Sequence, residues 1–471
     1  MARKQELPAA VCREVFPHDP DFPQLATATD PGLMLEQFRT HLRPATGTVY
    51  HIEDCVPFRF RCRQSTSRCV LQYTLRIVDP RTGDRQDLWV TGLVYARPGA
   101  AERLWHDMQA ADPRRGIPEP WRTFEPVGFI PDLQMAVQVF PYDRKLPNLS
   151  LVLSGAWPGL DRLLLARREA GRWHAEGQSI EPTRYRTELG AALKYTTHAR
   201  DALTRRLETL HCYLKVYRNE RGEQTDRLLR ALAEADGRKP YGVVRPLAYL
   251  SELRTLVLEE APGVALQHVL LQGDPAAAID AVARAVAAFN QDDIPIAHCP
   301  PHSLADQLDD VKRAASLVQW ACPRARADVR AISAAVVDGL REAPPRPIHR
   351  DLKTDHIFLS GDRAIFIDLD SVARGDPVRD PAHLFAHIAG RVGLDALSRE
   401  RARATAAAFA ESYFAHVPPS WRNQFSLHCA GALIEVAGGI FKRQEPHWPA
   451  KVMAAVEEAG NALSGRSAWR G

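Results

Sequence analysis

Residues 346–384 read "RPIHRDLKTDHIFLSGDRAIFIDLDSVARGDPVRDPAHL". Two short apolar runs in this stretch, "IFL" and "AIFI", flank the turn-forming residues "SGDR", a pattern that predicts a β-hairpin. Such a hairpin places Asp351 in the loop that enters its first strand and Asp368 at the end of its second strand. The two carboxylates are therefore expected to share one cleft.

A pair of carboxylates in one cleft suits phosphoryl transfer. One aspartate orients an attacking hydroxyl and accepts its proton, and the other holds the metal ion that bridges the phosphates of a nucleotide. The transition state is loose, so the protein mainly supplies positioning and charge neutralisation. For other aspartates of the stretch, such as Asp355 and Asp362, turn and cap formation is an equally good explanation.

The same stretch resembles the aminoglycoside phosphotransferase and choline-kinase branch of the protein-kinase-like fold. The family pattern is His-x-Asp, four residues, Asn, an apolar strand with Ile-Asp, and Gly-Asp-Pro followed by another Asp. The matching residues are His349, Asp351, Asp368, Gly375, Asp376, Pro377 and Asp380. The resemblance implies an α+β, bilobal fold with an antiparallel-sheet N-lobe and a mostly helical C-lobe.

The resemblance also implies roles for these residues. Asp351 is the catalytic base and Asp368 a metal ligand. The supporting residues are His349, packed beneath the loop, Arg350, either paired with a carboxylate or solvated, and Asp376 and Asp380, which hold the loop from behind.

His356 departs from the family pattern, because it stands where the family has asparagine. Magnesium prefers oxygen ligands, whereas an imidazole nitrogen suits manganese, iron or zinc better. Three alternatives follow: one metal ion held mainly by Asp368, with Asp370 as a further ligand; a manganese site that includes His356; or a His356 that donates a hydrogen bond to a phosphate oxygen.

A second part of the family pattern lies upstream. "LHCYLKVY" (210–217) predicts a half-buried strand that carries Lys215, and "EQTDRLLRALAEA" (223–235) predicts an amphipathic helix. By the resemblance Lys215 grips the nucleotide phosphates and pairs with Glu223, with Asp226 and Glu234 as alternative partners. A strand lysine that faces water is the structural alternative.

The next segment, "GVVRPLAYLSELRTLVLEEAPGVAL" (242–266), predicts two strands joined by a turn. The resemblance implies that the backbone of Glu259, Glu260 and Ala261 meets the adenine edge. Helices are predicted over 274–289 and 304–318. No Gly-x-Gly-x-x-Gly phosphate loop is present.

The chain contains an internal repeat. Without gaps, the segment from Arg68 overlays the segment from Gly190 at an offset of 122 residues. Residues 45–153 therefore look like an extra copy of the N-lobe. The first copy has Leu93 where the second has Lys215, so we infer that it has lost nucleotide chemistry.

The predicted domains follow from this repeat: a degenerate N-lobe-like domain (1–155), a linker (156–180), a kinase-like N-lobe (181–262) and a helical C-lobe with the catalytic loop (263–471).

Composition gives an ordinary globular protein of 471 residues, 45% hydrophobic and 25% charged. A net charge of +4 spread over the chain supports no nucleic-acid partner. No apolar run is long enough for a membrane span, and the amino terminus lacks a secretory core, so a cytoplasmic location is expected. The eight scattered cysteines predict buried free thiols.

Together these features predict a cytoplasmic small-molecule phosphotransferase that moves the γ-phosphoryl group of ATP to a hydroxyl, with Mg²⁺ or Mn²⁺ as cofactor. Its partners are a nucleotide and a hydroxyl-bearing small molecule of unknown class, and its oligomeric state is open. The alternatives are a pseudokinase that binds nucleotide or serves as a scaffold, and transfer of AMP to a protein hydroxyl.

Overall fold

The computed structural model describes residues 16–63, 67–155, 159–166, 168, 172–234, 239–294 and 299–465. Within these residues the chain forms two compact units. The first runs to Glu220 and takes in Tyr249–Val257 and Lys442–Pro446. The second comprises Arg221–Ala248, Leu258–Phe441 and the residues from His447 onwards.

The strands are, in chain order, β1 (His51–Arg63), β2 (Arg68–Val78), β3 (Arg85–Tyr95), β4 (Val127–Ile130), β5 (Met135–Val139), β6 (Trp173–Arg186), β7 (Gly190–Asp201), β8 (Leu207–Tyr217), β9 (Tyr241–Val243), β10 (Pro246–Leu250), β11 (Thr255–Glu259), β12 (Val264–Ala265), β13 (Arg346–Ile348), β14 (Ile357–Ser360), β15 (Arg363–Phe366) and β16 (Ala373–Gly375). The α-helices are α1 (Leu25–Ala28), α2 (Pro31–His41), α3 (Ala100–Ala110), α4 (Leu149–Leu153), α5 (Leu160–Leu165), α6 (Arg221–Glu234), α7 (Leu266–Leu271), α8 (Ala276–Asn290), α9 (Leu304–Ala321), α10 (Arg326–Gly339), α11 (Arg379–Ala389), α12 (Arg399–Phe414), α13 (Phe425–Lys442) and α14 (Trp448–Leu463).

The internal repeat is visible in the two five-stranded sheets. Their strand orders are β1-β2-β3-β5-β4 and, read from the other edge, β6-β7-β8-β11-β10. Strands β1, β2 and β3 each begin 122 residues before β6, β7 and β8. The sequence prediction of an additional N-lobe-like segment is therefore confirmed, as is the α+β fold class with antiparallel sheets and a mostly helical carboxyl-terminal part.

Even the hairpin turns of the two copies match. The backbone N–H of Asp79 donates to the carbonyl of Asp84 at 3.0 Å, and that of Asp201 donates to the carbonyl of Arg206 at 2.9 Å. In both turns the aspartate carboxylate also accepts from the backbone two residues further on. An Asx turn of this kind fixes the register of the strands that follow it.

Leu93, the counterpart of Lys215, lies in the apolar core of the first copy. It is fully buried with Val70 and Ala136 of the sheet and with Ala101 and Met108 of α3. A lysine at this position would bury its ammonium group among apolar side chains, which is costly. The side chain at this position therefore holds α3 against the first sheet.

The two copies meet in the first unit through a buried carboxylate. Glu188, in the turn between β6 and β7, accepts from Arg68 at 2.5 and 3.0 Å and from Arg144 at 3.0 Å. Arg61 lies 3.3 Å from the same carboxylate. Burial alone would raise the pKa of Glu188, but the arginines outweigh it and hold the pKa below its usual range.

The second unit carries the predicted catalytic stretch. Strands β14 and β15 form the expected hairpin, with Ile357 opposite Phe366. Together with β12 and β9 they make a four-stranded sheet of order β12-β14-β15-β9, and β13 pairs with β16. A Cβ atom on Gly263 would lie 1.9 Å from the carbonyl oxygen of Leu359, so only glycine permits β12 to approach β14 this closely.

One helical segment of the second unit is strongly apolar. The segment Pro419–Lys442 is by length and composition apolar enough to span a membrane. However, 72% of its most apolar 18-residue stretch is buried, as in the core helix of a folded protein.

The seven described cysteines are free thiols, of which only Cys62 is not buried. Cys12 lies outside the described residues.

Replacing Glu188 by Gln leaves three arginines around a neutral amide. We expect the first unit to lose about 3 kcal/mol of stability, because removing one member of a buried ion pair strands the other charges. The wild-type contribution should also fade as the pH falls below about 4, where a carboxylate with a lowered folded-state pKa becomes protonated.

Urea denaturation monitored by circular dichroism measures this effect. Glu53→Gln is the matched control, because Glu53 pairs with Arg85 on the surface of the first sheet. Equal effects of the two substitutions would contradict the assignment of Glu188 as the contact that joins the copies.

Candidate active site

The loop that carries Asp351 is held in place by one buried carboxylate. Asp380, at the start of α11, is fully buried. Its Oδ2 atom accepts from the backbone N–H of His349 at 2.7 Å and from the side chain of Asn290 at 3.0 Å, and its Oδ1 atom accepts from the backbone N–H of Arg350 at 2.9 Å. The loop thus has its backbone donors fixed before any ligand binds.

Two residues of the site have left-handed backbone conformations. Arg350 has φ of 67° and Asp368 has φ of 62°. Non-glycine residues rarely adopt this conformation, and it costs on the order of 1 kcal/mol or more unless the surroundings enforce it. At Arg350 the bond to Asp380 helps to enforce it, and the reversal directs the chain into Asp351.

The fold brings together Asp351, His356 and Asp368. One ligand atom from each lies within 4.8 Å of the others, so this trio has the geometry of a metal site. His356 Nε2 is 3.5 Å from Asp368 Oδ2, and His356 Nδ1 is 3.8 Å from Asp351 Oδ2. Two carboxylates and an imidazole at this separation can surround a divalent cation.

The hydrogen bond of His356 decides which of its nitrogens can bind a metal. Its Nδ1 atom lies 2.9 Å from the carbonyl oxygen of Asp351, and since a carbonyl oxygen only accepts, Nδ1 carries the proton. Burial, followed by the positive charge of Lys353, lowers the pKa of His356 to about 4, so the ring is neutral at pH 7. Nε2 therefore presents a lone pair towards Asp368.

That lone pair has no hydrogen-bond partner among the described residues, although Nε2 is buried. A lone pair and a carboxylate oxygen that face each other repel unless a cation or a donor lies between them. A histidine that ligates a metal commonly donates its other N–H to a carbonyl, as His356 does. The residues present therefore fit a divalent metal, which Asp368 and His356 would hold.

Asp351 stays ionised at neutral pH. Burial tends to raise its pKa, but Lys353, His356 and His383 together outweigh burial and hold the pKa well below its usual range. Lys353 Nζ lies 3.1 Å from Asp351 Oδ2. The side chain of Asp351 is 39% exposed, against 2% for His356, so its carboxylate is the part of the trio that solvent reaches most easily.

An ionic network lies behind the loop. The buried Arg379 donates to Glu435 at 3.1 and 3.2 Å and to Asp310 at 3.1 Å. Arg350 is 3.6 Å from Asp310, so the sequence alternative in which it pairs with a carboxylate holds.

Asp376 braces the same region. It accepts from His428 at 3.0 Å and from the backbone of Val378, also at 3.0 Å. The ring of His349 is fully buried, and its Nε2 atom lies 2.9 Å from the carbonyl of Ile367. Each residue predicted to support the loop thus contacts other buried parts of the second unit.

Asp370 does not join the trio. Its carboxylate accepts from Thr225 at 3.3 Å and its backbone carbonyl accepts from Arg221 at 2.5 and 2.9 Å, so both groups face α6. On the same helix Glu223 pairs with Arg227, and Asp226 pairs with Arg230. Glu223 thus pairs with Arg227 at the surface, and its pairing with Lys215 stays a prediction.

The predicted nucleotide residues are distributed over both units. Lys215 lies on β8 in the first unit, with its Nζ atom 5.7 Å from the centre of the Tyr217 ring. Glu259 is the last residue of β11 and belongs to the second unit, and its backbone N–H donates to the carbonyl oxygen of Arg245 at 3.0 Å. Glu260 is exposed and Ala261 half-buried. Their roles towards a nucleotide stay predictions.

Sequence reasoning missed Lys353 and Asn290. Lys353 was readable in principle, because a lysine two residues after a candidate base in "HRDLKTDH" can neutralise it. The role of Asn290 could not be predicted, since 90 residues of chain separate it from Asp380 and no local pattern marks it.

Replacing Asp380 by Asn should loosen the catalytic loop. An amide has one acceptor oxygen where the carboxylate serves three donors, so at least one buried N–H loses its partner, at about 2 kcal/mol. Hydrogen exchange of residues 349–356 should accelerate, and the urea midpoint should fall.

The matched control for this substitution is Asp362→Asn in the exposed turn between β14 and β15. Unchanged exchange in the loop of the Asp380 variant would show that Asp380 does not anchor it.

The protonation of His356 gives a second prediction. In metal-free protein its ring should titrate near pH 4 rather than near its unfolded value of about 6.5. The stability that it contributes is then complete above pH 6.5 and declines as the pH falls towards 4. Proton–nitrogen NMR, with His356→Gln to assign the signal, measures the titration. Titration near pH 6.5 would contradict a buried neutral ring.

Residues 196–421 match the sequence model of the phosphotransferase enzyme family. No curated protein sequence matches the chain.

Several solved structures are similar to the chain. An ethanolamine kinase from Plasmodium vivax is 11% identical with a TM-score of 0.39, covering 60% of this chain and 82% of its own. A GDP complex of an aminoglycoside 2′-phosphotransferase is 11% identical with a TM-score of 0.43, covering 65% and 98%. A choline/ethanolamine kinase family protein from Mesorhizobium loti is 15% identical with a TM-score of 0.38, covering 64% and 93%.

At TM-scores below 0.5 these similarities add nothing to the family match. That match covers the strand of Lys215, the trio and the loop that supports it. The resemblance drawn from the sequence is confirmed to this extent: the segment from residue 196 to residue 421 matches the model of the phosphotransferase enzyme family.

Proposed function

We propose that the protein transfers the γ-phosphoryl group of ATP to the hydroxyl group of a small molecule. The observation that carries the proposal is the trio, in which the buried lone pair of His356 faces the carboxylate of Asp368 while the ionised Asp351 reaches solvent. This combination offers a metal site and a proton acceptor next to each other, as phosphoryl transfer requires.

Asp351 is the group that receives the acceptor hydroxyl. A carboxylate with a depressed pKa is a weak base, but in a loose transition state the hydroxyl needs orientation more than early deprotonation. Lys353 holds one oxygen of Asp351 at 3.1 Å. The other oxygen is left to accept a hydrogen bond from the hydroxyl, and to take the proton as the bond to phosphorus forms.

A divalent ion held by Asp368 and His356 would neutralise charge on the phosphates of the nucleotide. One nitrogen ligand shifts the preference of the site from magnesium towards manganese, because magnesium strongly prefers oxygen. In this proposal Lys215 contacts the nucleotide phosphates, the backbone at Glu259–Ala261 contacts the base, and Asp370 supports α6 instead of binding metal.

The acceptor is a hydroxyl-bearing small molecule whose class is open, and the cytoplasm is the expected location. A pseudokinase that binds nucleotide without turnover is the competing function. The trio favours the enzyme, because a scaffold protein does not need an ionised, solvent-accessible Asp351 beside a metal site.

ATP turnover separates the two functions. We expect slow ATP hydrolysis even without an acceptor, faster with Mn²⁺ than with Mg²⁺, and at least about 100-fold slower in Asp351→Asn, the usual scale for loss of a general base. His356→Asn should restore a preference for Mg²⁺, because the amide supplies an oxygen ligand.

Asp362→Asn serves as the control and should hydrolyse ATP at the wild-type rate. Nucleotide binding by thermal shift without any turnover would leave the pseudokinase as the function. No binding with either metal would exclude both.

A further inference from the structure

The first unit contains a cluster of five arginines that the phosphotransferase site does not use. Arg59 and Arg61 lie on β1, Arg184 and Arg186 lie on β6, and Arg443 belongs to the short segment Lys442–Pro446. Residues two apart on a strand point to the same face, so each strand presents a pair of guanidinium groups to one side.

Hydrogen bonds bring the carboxyl-terminal ends of these two strands close together. Arg61 Nη2 donates to the carbonyl of Thr187, directly after β6, at 3.3 Å, and lies 3.3 Å from Glu188. The neighbouring Arg59 then lies close to the arginines of β6. Its pKa falls to about 9, through burial first and then through the charges of Arg186, Arg184 and Arg443.

Two carboxylates near the cluster are already engaged. Glu188 is shared by Arg61, Arg68 and Arg144, and Glu445 accepts from Arg443 at 2.7 Å. Within the described part of the chain Arg59 has no carboxylate partner. The positive charge of Arg59 is therefore not compensated by an ion pair, and the charges of Arg184, Arg186 and Arg443 around it have the same sign.

Arg59 and Arg443 also have unsatisfied donors. Arg59 Nε and Arg443 Nη2 are buried and have no hydrogen-bond partner among the described residues. A buried donor without a partner costs about 1–3 kcal/mol, and more on a charged group. Crowded arginines with unused buried donors can bind an anion, which would accept from these donors and reduce the repulsion between the guanidinium groups.

We propose that Arg59, Arg184, Arg186 and Arg443 form a binding site for a small anion that carries a phosphoryl or pyrophosphoryl group. Guanidinium groups match phosphate oxygens in pairs and stay charged when partly desolvated, which an ammonium group does less well. The site uses residues of the first unit alone, and it goes beyond the phosphotransferase function without depending on it.

For Arg59→Met we expect higher stability without anion and weaker binding of the anion. Without anion the variant should be more stable than the wild type, with a melting temperature higher by about 2 °C or more, because one crowded and desolvated charge is removed. With anion it should bind at least about tenfold more weakly, the effect of losing one charge-assisted hydrogen bond. A purely structural arginine would show destabilisation and unchanged binding.

The experiment is a thermal-shift titration of the full chain with inorganic pyrophosphate, and separately with phosphate, in EDTA so that no metal–nucleotide site forms. Sodium chloride at matched ionic strength separates binding from screening. Arg184→Met is the second variant in case Arg59→Met fails to fold. Arg76→Met is the matched control, because Arg76 is an exposed arginine of the same sheet that pairs with Asp87.

The proposal predicts saturable stabilisation by pyrophosphate that chloride does not reproduce, weakened in Arg59→Met and in Arg184→Met but not in Arg76→Met. Equal stabilisation by chloride, or an unchanged titration in both variants, would overturn it. Since no metal, nucleotide or turnover is involved, failure of the phosphotransferase function would leave this outcome unaffected.

Discussion

The buried carboxylate of Asp380 is the constraint on which the candidate site depends. It ties the first turn of α11 to two successive backbone N–H groups of the catalytic loop and to the last residue of α8, Asn290. Asn290 in turn donates to the carbonyl of Pro347 at 2.9 Å and accepts from Tyr413 at 3.2 Å. The position of Asp351 is thus set by packing between helices and not by the loop alone.

The duplicated sheet shows how one topology can carry two different tasks. Both copies keep the strand order and the aspartate-closed turn, because these features determine register and folding. One difference lies on the third strand of each copy, where the first copy has a buried Leu93 and the second has Lys215. The apolar side chain strengthens the packing of α3, whereas the lysine keeps a charge available.

The sequence predicted local features well and distant ones poorly. The β14–β15 hairpin, the proximity of Asp351 to Asp368 and the repeat follow from short patterns and from a fixed offset, and each is present in the structure. The direction of Asp370 could not be predicted, because a 3₁₀ turn at Leu369–Ser371 rotates it towards Thr225. The pairing of Glu188 with Arg68 could not be predicted either, since it joins side chains 120 residues apart and no pattern in the chain marks it.

The central claim is that His356 supplies a nitrogen ligand to the metal of a nucleotide site. Pulsed electron paramagnetic resonance of Mn²⁺ bound together with ATP tests it most directly, because coupling to a ¹⁴N nucleus reports an imidazole ligand. We predict ¹⁴N modulation in the wild type and its loss in His356→Asn, with Mn²⁺ still bound. Bound Mn²⁺ without nitrogen coupling in the wild type, or the same coupling in the variant, would contradict it.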